Sequence, residues 1–226
     1  MKNKLIYILL VFSMFLTACK NNSQIDLVSV SKRQIFVNGK QYIITGICYH
    51  PVPVGSNKRS FETIDQDLAL MVEAGINTIR VYAPIDDENV LDKIDAVGLK
   101  VIIGFGYNDP KDKYSIHSGN YINYINSYKN HNAILMWELG NEYNYHPEWF
   151  EGDLNNWYEA LNRSAALVHQ IDTNHPVASA HGDLPPPDVL AACPNVDVWG
   201  MNIYRWDDPA DLFTAWAERS TKPMYI

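Results

Sequence analysis

From about residue 43 onward, short continuous apolar runs alternate with longer stretches in which apolar residues recur at helical spacing. Just before this, Gln34-Ile35-Phe36-Val37 and Lys40-Gln41-Tyr42-Ile43-Ile44 flank Asn38-Gly39. Two alternating runs around Asn-Gly predict a β-hairpin, because this dipeptide tolerates the positive φ of a two-residue turn. Strands are then expected over 43–49, 78–83, 100–105, 133–139, 176–180 and 196–204, and from 223 onward. The first intervening helix is expected to be capped by Ser60 and to end at Gly75, with Ile64, Leu68, Met71 and Val72 as its apolar face. Further helices are expected over 86–97, 121–130, 155–171, 189–192 and 209–219.

Strands that are apolar on both faces and separated by helices belong to a parallel sheet covered by helices. A doubly wound sheet would carry a glycine-rich phosphate loop after its first strand, whereas here that strand ends in Tyr49-His50-Pro51. Polar and aromatic residues instead follow nearly every strand: His50, Tyr82, Tyr107, Asn141-Glu142, His181 with Asp183, and Asn202 with Tyr204. A ring of such residues at successive strand ends is the signature of an α/β fold of the (β/α)8 TIM-barrel type. Six strand–helix units and the start of a seventh strand are present. A closed barrel needs eight, so the expectation is a barrel over 32–226 truncated within strand seven.

The N-terminus reads as an export signal. Lys2 and Lys4 precede the apolar run 5–16, which ends in Leu16-Thr17-Ala18-Cys19. The run is too short to span a bilayer. Its tail resembles the lipobox of bacterial lipoproteins, which implies a signal peptide over 1–18, cleavage before Cys19 and lipidation of that thiol. The mature protein would then be membrane-anchored, in the periplasm or at the cell surface, with 19–31 as a polar tether.

Composition narrows the partners. The chain has 18 Lys+Arg against 26 Asp+Glu, a formal net charge of −8, which disfavours nucleic acid as a partner. Cys48 and Cys193 are expected as buried or half-buried free thiols, and no Cys/His spacing resembles a metal site.

The candidate chemistry centres on Trp137-Glu138-Leu139-Gly140-Asn141-Glu142, an apolar strand that ends in an amide and a carboxylate. Together with Phe36-Val37-Asn38-Gly39-Lys40, Asn77-Thr78-Ile79-Arg80 and Gly200-Met201-Asn202-Ile203-Tyr204, it resembles the retaining glycoside hydrolases of clan A. The β-galactosidase/β-glucuronidase family is the nearest in pattern, followed by the cellulase/mannanase family. The resemblance implies an oligo- or polysaccharide substrate with a β linkage, cleaved by double displacement without a cofactor.

The same resemblance implies roles for individual residues. Glu142 would be the general acid/base. Asn141 would hydrogen-bond the sugar 2-hydroxyl, and Arg80 would hold the nucleophile ionised. Tyr204 matches an aromatic hydroxyl beside the nucleophile, and Asn202 stands where cellulase-like members often carry His. His50, Tyr82, His181 and Trp206 fall in the substrate-contact zone. The nucleophile itself, a Glu, is expected just beyond Ile226.

Other readings stay open. Arg80 could instead form a structural ion pair with Glu138, which by strand parity shares a face with Glu142. His50 could be a loop hydrogen bonder, Trp137 is expected in the core, and Tyr143, Tyr145 and Trp149 could be loop packing. A transglycosylase on the same scaffold, and a non-catalytic carbohydrate-binding lipoprotein or inactive fragment, are the alternative functions. The sequence specifies no oligomeric state.

Overall fold

A computed structural model describes residues 25–108, 113–204 and 210–226. Cys19, the signal-like segment and Trp206 lie outside the described residues. The chain forms two sheets. The smaller is antiparallel, with order β1-β2-β3, from β1 (Val28–Ser31), β2 (Gln34–Val37) and β3 (Lys40–Tyr42). The expected hairpin is present, with Val37 opposite Lys40 and with Asn38 and Gly39 at φ 51° and 76°. The tether expected over 19–31 requires correction. β1 pairs along its whole length with β2, and Val28 is buried, so the folded unit begins before residue 32.

The larger sheet is a wholly parallel, seven-stranded partial barrel in sequential order. Its strands are β4 (Gly46–Cys48), β5 (Thr78–Val81), β6 (Lys100–Phe105), β7 (Ile134–Asn141), β8 (Val177–Gly182), β9 (Val198–Asn202) and β10 (Met224–Tyr225). Helices α1 (Ile64–Glu73), α2 (Glu88–Ala96), α3 (Tyr121–Tyr128), α4 (Leu154–Ile171), α5 (Pro187–Ala192) and α6 (Ala210–Arg219) connect them. This is the TIM-barrel order with seven of its eight strands. The first helix starts later than expected: Thr63, not Ser60, is its N-cap residue, and Val72 faces solvent. β4 and β10 are the sheet edges, so β4 is exposed along its length although its sequence reads as a buried strand.

Two apolar layers result. The large one lies between strands and helices and holds Trp137, which packs on Phe105 and Tyr124 and donates to Asp172 Oδ2 at 2.7 Å. Trp137 is therefore core, as expected. The small layer lies inside the barrel, where Ile102, Met136, Ala178 and Val198 meet Val28 and Ile35 of the antiparallel sheet. That sheet covers the N-terminal ends of the strands: Val28 N–H donates to Asn174 O, Asp26 N–H to Asn132 Oδ1 and the Tyr42 hydroxyl to Asn77 O. One barrel end is thus plugged, and the strand C-termini are left as the accessible mouth.

Below the mouth, His169 on α4 meets Asp197 Oδ2 at 2.7 Å, ahead of β9. That hydrogen bond raises the His169 pKa above its ordinary value. A raised folded-state pKa means that the stabilisation is complete below about 6.5 and is lost as pH rises through the folded value. His169→Gln should therefore destabilise the fold at pH 6 and have little effect at pH 9, as read by urea midpoints at the two pH values. An equal loss at both would show that the pair is not charge-assisted.

Candidate active site

The mouth is organised by one irregularity in β7. Glu138 pairs with Ala178 but Asn141 pairs with Ala180, so β7 spends one extra residue against β8. Gly140 supplies that bulge at φ 75°. The extra residue reverses strand parity, and Glu138 and Asn141 both turn toward Arg80 on β5. Plain alternation would set Asn141 on the face opposite Glu138, and the bulge brings the two to the same side.

Arg80 and Glu138 are both buried and form a bidentate pair, Nε to Oε2 at 2.7 Å and Nη2 to Oε1 at 2.6 Å. The structural pairing left open by the sequence is thus the one present. Burial works against the Arg80 charge, but the Glu138 carboxylate outweighs it and holds the guanidinium protonated. The Tyr225 hydroxyl also donates to Glu138 Oε2. Burial together with the neighbouring Glu138 charge pushes that phenol well above its ordinary pKa. Tyr225 was not singled out from the sequence. Its only signal is position, two residues into the seventh strand and opposite Gly200, whose missing side chain leaves room for the ring.

Asn141 is locked from two sides. Its Oδ1 accepts from Arg80 Nη2 at 2.7 Å and from Asn202 Nδ2 at 2.9 Å. With the carbonyl oxygen occupied, the Asn141 amide nitrogen remains as a donor for another partner. Asn202, whose role the sequence left open, is thereby placed as a support for Asn141.

Glu142 follows in the left-handed region, at φ 57° and ψ 24°. Its N–H still donates to Ala180 O at 2.9 Å, which holds the turn on β8. Asn144 reinforces this: its amide accepts from Gly182 N–H at 2.8 Å and donates to Gly182 O at 3.1 Å. The ring of Tyr145 lies over the same glycine, 2.1 Å from where a Cβ would stand. Gly182→Ala should accordingly cost about 1–3 kcal/mol through overpacking, measurable by chemical denaturation. An unchanged midpoint would mean that Tyr145 swings away freely. Asn144 and Gly182 were missed from sequence because their role is a side-chain-to-backbone clamp between different loops.

The Glu142 carboxylate faces the mouth. Its Oε1 is buried and has no hydrogen-bond partner among the described residues. Tyr204 lies near this carboxylate, whose charge raises the Tyr204 pKa. The Tyr204 side chain is otherwise solvent-facing, 76% exposed. Tyr82 lays its ring over the Arg80 guanidinium at 4.6 Å, and the neighbouring Cys48 thiol, together with burial, raises the phenol pKa. Cys48 is exposed, contrary to the expectation of a buried or half-buried thiol, because β4 is an edge; Cys193 is buried, and both are free.

Two expected contact residues do not join this group. His181 lies on the outward parity of β8, buried against Trp199, with Nδ1 on Asp183 O at 3.1 Å and Nε2 facing the Tyr158 hydroxyl of α4 at 3.4 Å. Burial lowers its pKa, and it belongs to the sheet–helix layer. His50 is exposed and makes no hydrogen bond or ion pair among the described residues. Among the aromatics after β7, Tyr143 packs on Trp157 and Phe150, while Trp149 stacks on His146 at 3.9 Å and stays 54% exposed. Among the described residues, no group of His, Cys, Asp and Glu is placed to hold a metal ion.

Residues 28–105 match the model of the TIM-barrel domain of glycosyl hydrolases family 2. No curated protein matches the sequence. Among solved structures, the fold is similar to a β-glucuronidase of Parabacteroides merdae, with a TM-score of 0.68 and 19% identity over 88% of this chain and 26% of that one. It is similar to a family 2 β-galacturonidase of Eisenbergiella tayi bound to galacturonate, with a TM-score of 0.68 and 23% identity over 88% of this chain and 38% of that one. A β-D-glucuronidase of Dictyoglomus thermophilum follows, with a TM-score of 0.66 and 18% identity over 89% of this chain and 38% of that one. The chain thus spans between about a quarter and two-fifths of these structures.

Proposed function

We propose that this chain carries the acid/base half of a retaining β-glycosidase, with an oligo- or polysaccharide as substrate. The observation that carries the proposal is the bulged end of β7, which sets Asn141 and Glu142 side by side in the mouth and fixes Asn141 through Arg80 and Asn202. Glu142 would protonate the departing oxygen and, as carboxylate, later activate water. The Asn141 amide nitrogen would donate to a hydroxyl of the sugar on the other side of the scissile bond. The family-model match and the similarity to solved glycosidases support the reading.

Retention needs a second carboxyl about 5–5.5 Å from the first. Glu138 does not meet that need, because Arg80 and Tyr225 occupy its two oxygens. The place for a second carboxyl is the open side of the mouth, between β10 and β4, where a cavity of ≈ 430 Å³ reaches Arg80. With that group supplied, hydrolysis of a panel of β-glycosides, uronides included, should release the sugar first in its original anomeric configuration. Initial release of the opposite anomer would sink the retaining mechanism.

The signal-like segment supports a second element of the proposal: an exported lipoprotein, held at a membrane through acylated Cys19, in the periplasm or on the cell surface. Among the described residues no helix is long and apolar enough to cross a membrane. Metabolic acyl labelling that persists in Cys19→Ala would overturn this element.

A further inference from the structure

The loop that leaves β7 presents two aromatic faces that the fold itself does not use. It runs from Glu142 through two short 3-10 turns, Tyr143–Tyr145 and Pro147–Phe150, to α4. Its course is fixed by its own bonds. Tyr145 N–H donates to Glu142 O at 3.0 Å, Trp149 N–H to His146 O at 3.1 Å and Gly152 N–H to Pro147 O at 2.9 Å. Phe150 is buried, and Asn156 Nδ2 donates to its carbonyl at 3.1 Å, which ties the loop to α4. Side chains on such a loop are held before any ligand arrives, so binding to them costs little ordering.

Tyr145 and Trp149 stand out on this scaffold. Trp137, Trp157, Trp199 and Trp216 are buried, whereas Trp149 is the one exposed indole among the described residues. His146 covers one face of Trp149, with the rings 5° from parallel, and Tyr143 meets it edge-on. A ring covered on one face and still 54% exposed has its second face open. The same holds for Tyr145, whose ring lies on Gly182 while the residue is 53% exposed. An open aromatic face is negatively polarised, and it attracts the positively polarised C–H groups on the flat side of a pyranose.

Position and charge narrow the ligand. Asn141 turns inward to Arg80, while Tyr145 and Trp149 continue outward along the loop from Glu142. From Glu142 to Asp153 the loop carries four carboxylates and no Lys or Arg. A field of one sign disfavours a partner of the same sign, so an anionic ligand is repelled here.

We propose that Tyr145 and Trp149 form a platform for the leaving-group side of the substrate, and that this side is a chain of at least two neutral pyranose units. The proposal rests on the acid/base reading of Glu142. The sugar held by Asn141 lies inward of the scissile bond, and the departing chain runs outward over Tyr145 and then Trp149. A single small leaving group would not reach Trp149, and an acidic chain would meet the negative field of the loop.

The test is titration of the full chain with β-1,4-linked gluco-, manno- and xylo-oligosaccharides of one to four units, and with β-1,4-linked triglucuronate. In at least one neutral series the affinity should rise about tenfold or more from one unit to three, and the trimer should shield an indole from acrylamide quenching. Trp149→Ala should remove that gain and that shielding, and Trp149→Phe should keep much of the gain. Tyr145→Ala should weaken the dimer about fivefold or more. A gain that persists in Trp149→Ala overturns the proposal. So does a flat length dependence, triglucuronate binding as tightly as the neutral trimer, or no binding by any series. Both rings are about half exposed, so the variants should melt with the parent. Where one does not, quenching of the parent chain decides, and an indole as open with the trimer as without it overturns the proposal. Asn141→Ala separates the platform from the reading beneath it, since it should weaken the single unit and leave the length gain intact. No length gain while the single unit still needs Asn141 overturns the platform alone. A single unit indifferent to Asn141→Ala overturns the reading of the mouth on which the platform rests.

Discussion

Glu138→Ala is expected to cost about 3–5 kcal/mol of folding stability, because it leaves the Arg80 guanidinium buried without a counter-charge. Both side chains are nearly closed to solvent, with Arg80 6% and Glu138 1% exposed. The surroundings offer Arg80 little compensation: Asn141 Oδ1 accepts one N–H, and the Cys48 sulfur, at 3.7 Å, is a weak acceptor. Domains of this size are held by about 5–15 kcal/mol in total, so the loss would remove a large fraction of the margin. Urea denaturation of parent and variant reads it directly. A cost below about 1 kcal/mol would mean that water reaches Arg80 and that the pair is not structural. Replacing both partners with apolar residues of similar volume should recover most of the loss. That double variant separates fold from function: it should be stable, yet Asn141 would lose the guanidinium that orients its amide.

The same pair marks the boundary of what the sequence reveals. Strand β6 matches its expected bounds because a run buried on both faces has one reading in a parallel sheet. The Asn38-Gly39 hairpin is equally local, since only a few residue types tolerate its backbone. The bulge at Gly140 is different. Its consequence, Glu138 and Asn141 on one side, depends on the register against β8, a neighbour contributed by a distant segment. Plain alternation through Leu139 and Gly140 therefore puts Asn141 on the wrong side, while the Arg80–Glu138 pairing it allows is present. His181 failed for a related reason, yet its signal was available: Ala178, Ala180 and Gly182 are the small residues of β8, and small side chains mark the crowded interior face. A histidine on the opposite parity faces the helices. β1 was missed because Val28-Ser29-Val30-Ser31 is a short amphipathic strand that only pairing with β2 reveals.

Glu142→Gln is expected to lower turnover of β-glycosides with poor leaving groups by about 10²–10⁴-fold, the usual contribution of a positioned general acid. The measurement belongs to a form of the protein in which the second carboxyl is present. Glycosides whose leaving group needs no proton should lose much less in the first step. Turnover of poor leaving groups at the parent rate would remove Glu142 from this role. The substitution should not disturb the fold, because Glu142 lies on a turn held by its own N–H, by Asn144 and by Tyr145 on Gly182, none of which uses the carboxylate. The geometry also supplies a readout that needs no turnover. The Glu142 charge is the leading cause of the raised Tyr204 pKa, since a neighbouring carboxylate favours the neutral phenol. Neutralising it in Glu142→Gln should move the Tyr204 titration down toward the ordinary tyrosine value. Phenol absorbance against pH, with Tyr204→Phe as the subtraction reference, isolates this group among the 14 tyrosines. An unmoved Tyr204 titration would show that the two side chains do not meet in the folded chain. A shifted titration with unimpaired hydrolysis would keep the geometry and discard the mechanism.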